Sequence, residues 1–119
     1  MTPYALLNLI IDLCAQSPIV AAYTVRTVDR DVLRLRVHLL DESFIEVFYN
    51  DATAKLAFAL IVSNQRIYGK DNVKIGWHLH PLANPLDHVP CNPVTFAEFL
   101  AEIELLRFPP AANDESGSS

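Results

Sequence analysis

Two histidines one residue apart, His78 and His80, are the side chains of this sequence best suited to chemistry. In an extended segment alternate side chains lie on one face, so the two imidazoles can converge on one point. Imidazole is the side chain whose ordinary pKa lies near neutral pH, so two rings can act as acid and base without a metal. Asp71 could orient one ring by accepting its second proton. The spacing therefore predicts an acid–base site within KDNVKIGWHLHP, residues 70–81.

Cations that could bind a phosphate lie earlier in the chain. Arg34 and Arg36 alternate with apolar residues in VLRLRVHLL, and Arg66 follows the next long apolar segment. Guanidinium groups can contact phosphate oxygens in pairs. Asn72 and Trp77 complete the predicted substrate-binding residues, with Trp77 stacking on an unpaired base. With the histidines as base and acid, these residues predict cleavage of RNA through its own 2′-hydroxyl, without a cofactor.

Two other interpretations fit the same histidines. H-x-H on one face is a common half-site for zinc or another transition ion, and Asp71 or His88 could complete such a site with His78 and His80. The motif is also an ordinary polar strand end, in which the rings bond nearby backbone groups. Asp71-Asn72 likewise suits a turn, because both side chains hydrogen-bond neighbouring backbone. Spacing alone leaves these alternatives open.

Composition narrows the class of protein. The net charge of −5 argues against broad adhesion to nucleic acid, yet eight of the nine Lys and Arg residues lie between Arg26 and Lys74, which leaves a locally basic region. There is no Gly-rich phosphate loop, no G-x-S-x-G and no CxxC pair. The two cysteines, Cys14 and Cys91, are expected to be reduced packing thiols. We expect a cytoplasmic protein without a membrane span.

The pattern of apolar residues predicts one α+β domain over residues 1–108, followed by a disordered tail over 109–119. A helix is expected over Tyr4 to Gln16, and a capping box at Thr95 to Glu98 opens a second helix. Four strands are predicted between the two helices, and the fourth is one long strand with the sequence LAFALIVSNQRIY. The expected architecture is a four-stranded antiparallel meander in a two-layer sandwich, with both helices on its apolar face.

The order of these motifs resembles the TumE-like family of bacterial and archaeal toxins from toxin–antitoxin pairs. The strand pair RLRVHLLDESFIEVFY, a strand ending at Arg66, the Asp71-Asn72 pair, H-L-H and the C-terminal capping-box helix carry the resemblance. It spans roughly residues 32–106. In that family the turn between the strands reads D-G-S, whereas this chain has D-E-S. Arg66 precedes Asp71 by five residues, where the family pattern has two.

The resemblance implies a toxin role and a helix-turn-helix antitoxin as partner. The alternative function is a non-enzymatic binding module that inhibits a target through an exposed surface. The first helix favours that alternative, because its only polar residues, Asn8, Asp12 and Gln16, form one narrow stripe. A domain this small is not expected to bury the whole helix, so it would dock on the antitoxin or form a homodimer.

Overall fold

The computed structural model describes residues 1–74 and 76–110, which form a helix, seven strands and a second helix. Helix α1 spans Pro3–Gln16 and α2 spans Phe96–Arg107, and the strands are β1 Val20–Val28, β2 Val32–Leu39, β3 Phe44–Asn50, β4 Lys55–Val62, β5 Gln65–Asp71, β6 His78–His80 and β7 Val89–Pro90. The strands pair in chain order in one antiparallel sheet. The predicted α+β class and terminal helices are confirmed, but the prediction of four strands is wrong.

The predicted long fourth strand is a hairpin. β4 ends at Val62, and β5 begins at Gln65 after a two-residue turn, Ser63-Asn64. Both turn residues have positive φ, 51° and 64°, as the tightest hairpin turns require. Neither residue is Gly, so the sequence has no glycine signal for a turn here. The remaining two strands, β6 and β7, arise in the proline-rich region, to which the four predicted strands did not extend.

One face of the sheet forms the hydrophobic core. The alternating residues of β2 that were predicted to point inward are buried, none more than 3% exposed: Leu33, Leu35, Val37 and Leu39. Ile45 and Val47 of β3 and Phe58 and Leu60 of β4 extend the same layer. Both helices pack on it. The other face of the sheet, which we call the open face, carries the side chains that alternate with these.

The helices are anchored by local signals in the sequence. Thr2 caps α1 by accepting from the Ala5 amide, and Pro3 occupies its first turn. Thr95 and Glu98 form the predicted capping box of α2. Four apolar residues of α2 are buried, namely Phe96, Phe99, Leu100 and Ile103, whereas Leu106 is 40% exposed.

The two edges of the sheet differ. β1 is a long edge strand whose residues from Ala21 to Thr27 are exposed. Its pairing with β2 is shifted by irregularities near Ala21 and Arg26, where the strand carries extra residues. At the opposite edge β7 has only two residues, one of which is Pro90. Regular pairing is therefore limited at both edges.

Among the described residues, no helix has the length and apolar character that crossing a membrane would require. Most of the predicted disordered tail, residues 111–119, lies outside the described residues, as does residue 75.

Candidate functional site

Two rows of paired residues cross the open face from β2 to β6. Residues that stand opposite each other in an antiparallel pair point to the same face. One row runs Arg36, Glu46, Ala59, Gly69 and His80, and the other runs Arg34, Phe48, Ala57, Asp71 and His78. The predicted arginines, the aspartate and both histidines therefore share the face that the helices leave uncovered.

A β-bulge brings Arg66 onto the open face as well. The pairing of β4 with β5 shifts between Leu60 and Ile61, so that Ile61 stands opposite Arg66. Ile67 is the extra residue, and it packs against the core. Without the bulge, strict alternation would send Arg66 to the helix side. Gly69 lies beside the Arg66 stem, since a Cβ added to it would be 3.6 Å from Arg66 Cδ and only 2.9 Å from the Phe58 carbonyl oxygen.

Asp71 and His80 form a buried pair. His80 Nε2 lies 2.9 Å from Asp71 Oδ2, and the two side chains are 3% and 16% exposed. The other carboxylate oxygen accepts from the Val73 amide at 3.1 Å. A carboxylate acceptor places the proton of a neutral ring on Nε2, which leaves Nδ1 of His80 with a free lone pair. That Nδ1 is buried and has no hydrogen-bond partner among the described residues.

His78 and His88 surround His80. The His88 ring centroid lies 4.7 Å from that of His80 and 5.7 Å from that of His78, edge to face in both cases. His78 is half-buried, and its Nδ1 also lacks a partner among the described residues. His88 is exposed. Desolvation by its surroundings is the largest effect that lowers the pKa of His88. The neighbouring His80, Lys74 and His78 lower this pKa further, and Asp71 offsets the decrease only in part.

Two consecutive turns return His88 to the cluster. The Asn84 amide donates to the Pro81 carbonyl oxygen, and the Asp87 amide donates to that of Asn84. Val89 then pairs with Leu79, which fixes the end of this loop beside β6. In the sequence, the prolines of this loop conceal both the turns and the short strand.

These side chains line a cleft of about 360 Å³ on the open face. Its walls carry three imidazoles, one carboxylate and two cationic side chains over a small floor: Ala57, Arg66, Asp71, Val73, Lys74, His78, His80 and His88. We call this the histidine cleft. Arg66 Nη2 approaches the Pro85 carbonyl oxygen at 3.4 Å, so the guanidinium also holds the loop above the cleft.

The donor atoms do not converge as metal ligands in this arrangement. Over residues 1–74 and 76–110, no three His, Cys, Asp or Glu side chains are placed to hold an ion. The donor chemistry of the three rings is nevertheless that of a transition-metal site. A metal would need the ring of at least one histidine to turn.

Two predicted substrate-binding residues do not join the cleft. Trp77 packs against the hydrophobic core, on the face opposite to its neighbour His78. Strand alternation carried this information, because adjacent residues in a strand point to opposite faces. Asn72 serves the β4–β5 pairing instead: its Oδ1 accepts from the Leu56 amide at 2.7 Å, and its Nδ2 donates to the Ala54 carbonyl oxygen at 3.0 Å.

Arg34 and Arg36 lie too far away to hold the phosphate at which the histidines would transfer protons. Four strand spacings of about 4.8 Å separate β2 from β6, which puts their backbones roughly 19 Å apart. Arg36 donates to Glu46 at 2.6 Å and stacks over Phe44, while Arg34 stacks over Phe48. The predicted clamp at a shared phosphodiester therefore has to be corrected, and Arg66 is the arginine at the cleft.

Sequence reasoning missed four contributors. His88 was considered only as a metal ligand, and Lys74 was not considered at all. Phe44 and Phe48 were assigned to a strand without regard to their face. Their alternation with Ile45 and Val47 could have placed both rings beside the arginines, whereas no local pattern signals the return of His88.

Neither a scan against protein-family models nor searches of curated proteins and of solved structures finds a match to this chain.

Proposed function

We propose that this protein is a metal-independent endoribonuclease that cleaves RNA through the substrate's own 2′-hydroxyl at the histidine cleft. One observation carries the proposal: three imidazoles, one of them bound to a buried carboxylate, meet Arg66 and Lys74 in a cleft on an uncovered sheet face. Such cleavage needs a base, an acid and positive charge at the phosphate, and the cleft offers each of these.

The exposed ring of His88 is the base. Its lowered pKa keeps it neutral near pH 7, so it can accept the proton of the 2′-hydroxyl. The 2′-oxygen attacks phosphorus, the bond from phosphorus to the 5′-oxygen breaks, and His78 gives the departing 5′-oxygen a proton. The products are a 2′,3′-cyclic phosphate and a free 5′-hydroxyl. His88 therefore takes the place that was predicted for His80, because His80 is buried and already bonded to Asp71.

His80 and Asp71 are positioning residues, since neither side chain is open enough to contact substrate. The carboxylate holds the His80 ring, and the ring packs edge to face against His88. Arg66 and Lys74 provide the positive charge that the transition state requires. No step in this mechanism uses a metal or a cofactor.

The test is cleavage of a fluorescent RNA by His88→Gln and His78→Gln variants. Each should lower kcat by about 100- to 10,000-fold, the usual range for losing a general acid or base. His38→Gln is the matched control, because His38 lies on the same face but bonds Thr24 at 2.9 Å, away from the cleft. A substrate with a deoxyribose at the cleaved nucleotide should resist every form of the protein.

Undiminished cleavage by both variants would overturn the acid–base assignment. Cleavage of the deoxyribose substrate would overturn attack by the 2′-hydroxyl.

Metal binding is the second candidate, and the buried Nδ1 atoms of His78 and His80 favour it. Histidines that bind metals commonly donate their other N–H to a carboxylate, as His80 does to Asp71. The same cleavage assay separates the candidates when a chelator is added to protein purified without a histidine tag. Unchanged kcat and no stoichiometric metal support the acid–base mechanism, whereas loss of kcat with loss of a bound ion supports the metal.

The toxin role is supported by the motif resemblance alone. We propose it together with a cytoplasmic location and a helix-turn-helix antitoxin as partner. On this proposal, expression of the protein arrests growth through RNA cleavage, and His88→Gln relieves the arrest.

A further inference from the structure

A second cleft on the open face adjoins the histidine cleft. It has a volume of about 480 Å³ and lies over β2, β3 and β4, where Arg26, Arg34, Arg36 and Phe48 line it. Ala57 lines both clefts, so the two adjoin at that residue. Together they form a trough across the strands, from the arginines of β2 to the imidazoles of β6.

The floor of this trough consists of residues with small side chains or none. Its middle consists of Ala57 and Ala59 of β4 and Gly69 of β5, which stand between the two walls in the paired rows. The opposite face of β4 carries Phe58 and Leu60, so the small residues are confined to the open side. A polymer can therefore approach the backbone closely along this line.

The β2–β3 end of the trough offers flat, cationic surfaces. The Arg34 guanidinium carbon lies 4.6 Å from the centroid of the Phe48 ring, and that of Arg36 lies 4.5 Å from the centroid of Phe44. Stacked arginine and aromatic planes are the surfaces on which unpaired bases stack. We call these two pairs the Arg–Phe platform.

The charges along the trough favour a polyanion although the whole chain is acidic. Its carboxylates are already partnered, since Glu46 binds Arg36 and Asp71 binds His80. The cations that line the trough outnumber these two carboxylates: Arg26, Arg34, Arg36, Arg66 and Lys74. Local charge of this kind can attract a nucleic acid independently of the net charge.

We propose that the trough binds single-stranded RNA, with an unpaired base on the Arg–Phe platform while a phosphate some nucleotides away occupies the histidine cleft. The proposal rests on the proposed function and adds the substrate class. Paired bases hide the faces that the platform would stack, so a duplex is the poorer ligand. Specificity for unpaired RNA then arises about 19 Å from the reacting atoms, the distance of four strand spacings.

The experiment measures binding and cleavage with Phe48→Leu and Arg34→Gln. Phe48→Leu keeps an apolar side chain but removes the stacking plane. It should weaken binding of a 2′-O-methyl oligonucleotide, which cannot be cleaved, by about 5- to 150-fold in fluorescence anisotropy. Arg34→Gln should also weaken binding, and the slope of the logarithm of affinity against the logarithm of salt concentration should become shallower by about one unit.

The control is Arg30→Gln, which removes a charge in the β1–β2 turn, where the Arg30 side chain is 93% exposed and outside the trough. It should leave binding nearly unchanged. A dinucleotide reaches only the histidine cleft, so parent and Phe48→Leu should cleave it equally. On a longer strand, Phe48→Leu should raise KM and leave kcat unchanged.

The outcomes separate the two proposals. Cleavage of long RNA with the same KM in parent, Phe48→Leu and Arg34→Gln would overturn the trough and leave the ribonuclease standing. Platform-dependent binding without cleavage would overturn the ribonuclease and leave the trough. Tighter binding of a duplex than of the single strand would overturn the proposed substrate class.

Discussion

Asp71 links the chemistry of the histidine cleft to the stability of the sheet. It ends β5, its Oδ1 holds the Val73 amide, and its Oδ2 accepts the proton of a ring that is 3% exposed. A buried ring with an unmet hydrogen bond is costly, so this carboxylate serves a structural purpose whatever the cleft does. Its proposed catalytic purpose is the orientation of His80 beside His88.

Asp71→Asn is expected to separate these two roles. The amide can donate to His80 Nε2, which would move the ring proton to Nδ1. We expect the free energy of unfolding to fall by about 1–3 kcal/mol, the cost of disturbing a buried polar partner. We also expect kcat to fall while KM is unchanged. Urea denaturation and single-turnover cleavage measure the two effects.

Asp12→Asn is the control for this variant, because Asp12 is exposed on α1. If Asp71→Asn keeps the parent's kcat, the carboxylate acts only in stability.

At the scale of elements, the turn between β2 and β3 ties the sheet to α2. Asp41 accepts from the Ser43 amide at 3.0 Å and from the Ser43 hydroxyl, and Arg107 at the end of α2 donates to it at 3.0 Å. Burial raises the pKa of Asp41, but the Ser43 hydrogen bonds and the Arg107 charge outweigh burial and hold it below its usual value. The ionised carboxylate is therefore the form that stabilises the fold.

Asp41→Asn should lower the free energy of unfolding by about 1–3 kcal/mol at neutral pH, since it weakens hydrogen bonds to a charged group. A depressed pKa in the folded state gives stability that is complete above the unfolded value of about 3.9 and is lost as the pH falls through the folded value. The difference between parent and variant should thus shrink below about pH 3.9. Denaturation at several pH values measures it.

Glu42→Gln in the same turn is the control and should cost little, because the Glu42 side chain is exposed. A difference between parent and Asp41→Asn that is constant down to low pH would contradict this account.

Elements with a strong local signal could be predicted from the sequence, and those set by pairing could not. The capping box of α2 and the alternation of β2 are local, and both appear as expected. The Ser63-Asn64 turn was missed because its left-handed backbone is carried by residues without a glycine signal. The bulge at Ile67 depends on the register with β4, so the position of Arg66 on the open face could not be derived from β5 alone.

The same division holds for the candidate site. Asp71, His78 and His80 were placed together by spacing within one hairpin, and they do share a face. His88 joins them only through the turns of the intervening loop. The distance from Arg34 to the histidines depends on the number of strands between them. Because the β4–β5 hairpin was predicted as one strand, the predicted distance was too small.

At the scale of the whole molecule, α1 exposes apolar side chains that the sheet does not cover. Its buried residues are Pro3, Leu6, Ile10 and Cys14, whereas Tyr4 and Leu9 are 53% and 44% exposed. These two exposed residues flank the polar stripe of the helix on its two sides. We predict that the homodimer and the antitoxin contact use the flank that carries Leu9.

We expect the parent protein to be a dimer in sedimentation experiments and Leu9→Glu to be a monomer. A charge at this position would be desolvated in the interface, so association should be lost while cleavage per chain is retained. Asn8→Asp, which adds a charge at an exposed neighbouring residue, should leave the dimer largely intact. A parent that sediments as a monomer at all concentrations would contradict the use of α1 for self-association.

The irregular β1 edge has a consequence for the fate of the protein at high concentration. An unpaired margin of nine residues with little charge is a template on which further copies can add, and the end state of such addition is a fibril. The extra residues near Ala21 and Arg26 interrupt the regular spacing of backbone N–H and C=O groups that a strand of another copy would need for pairing. With Pro90 at the far edge, both edges of the sheet disfavour the addition of a further strand.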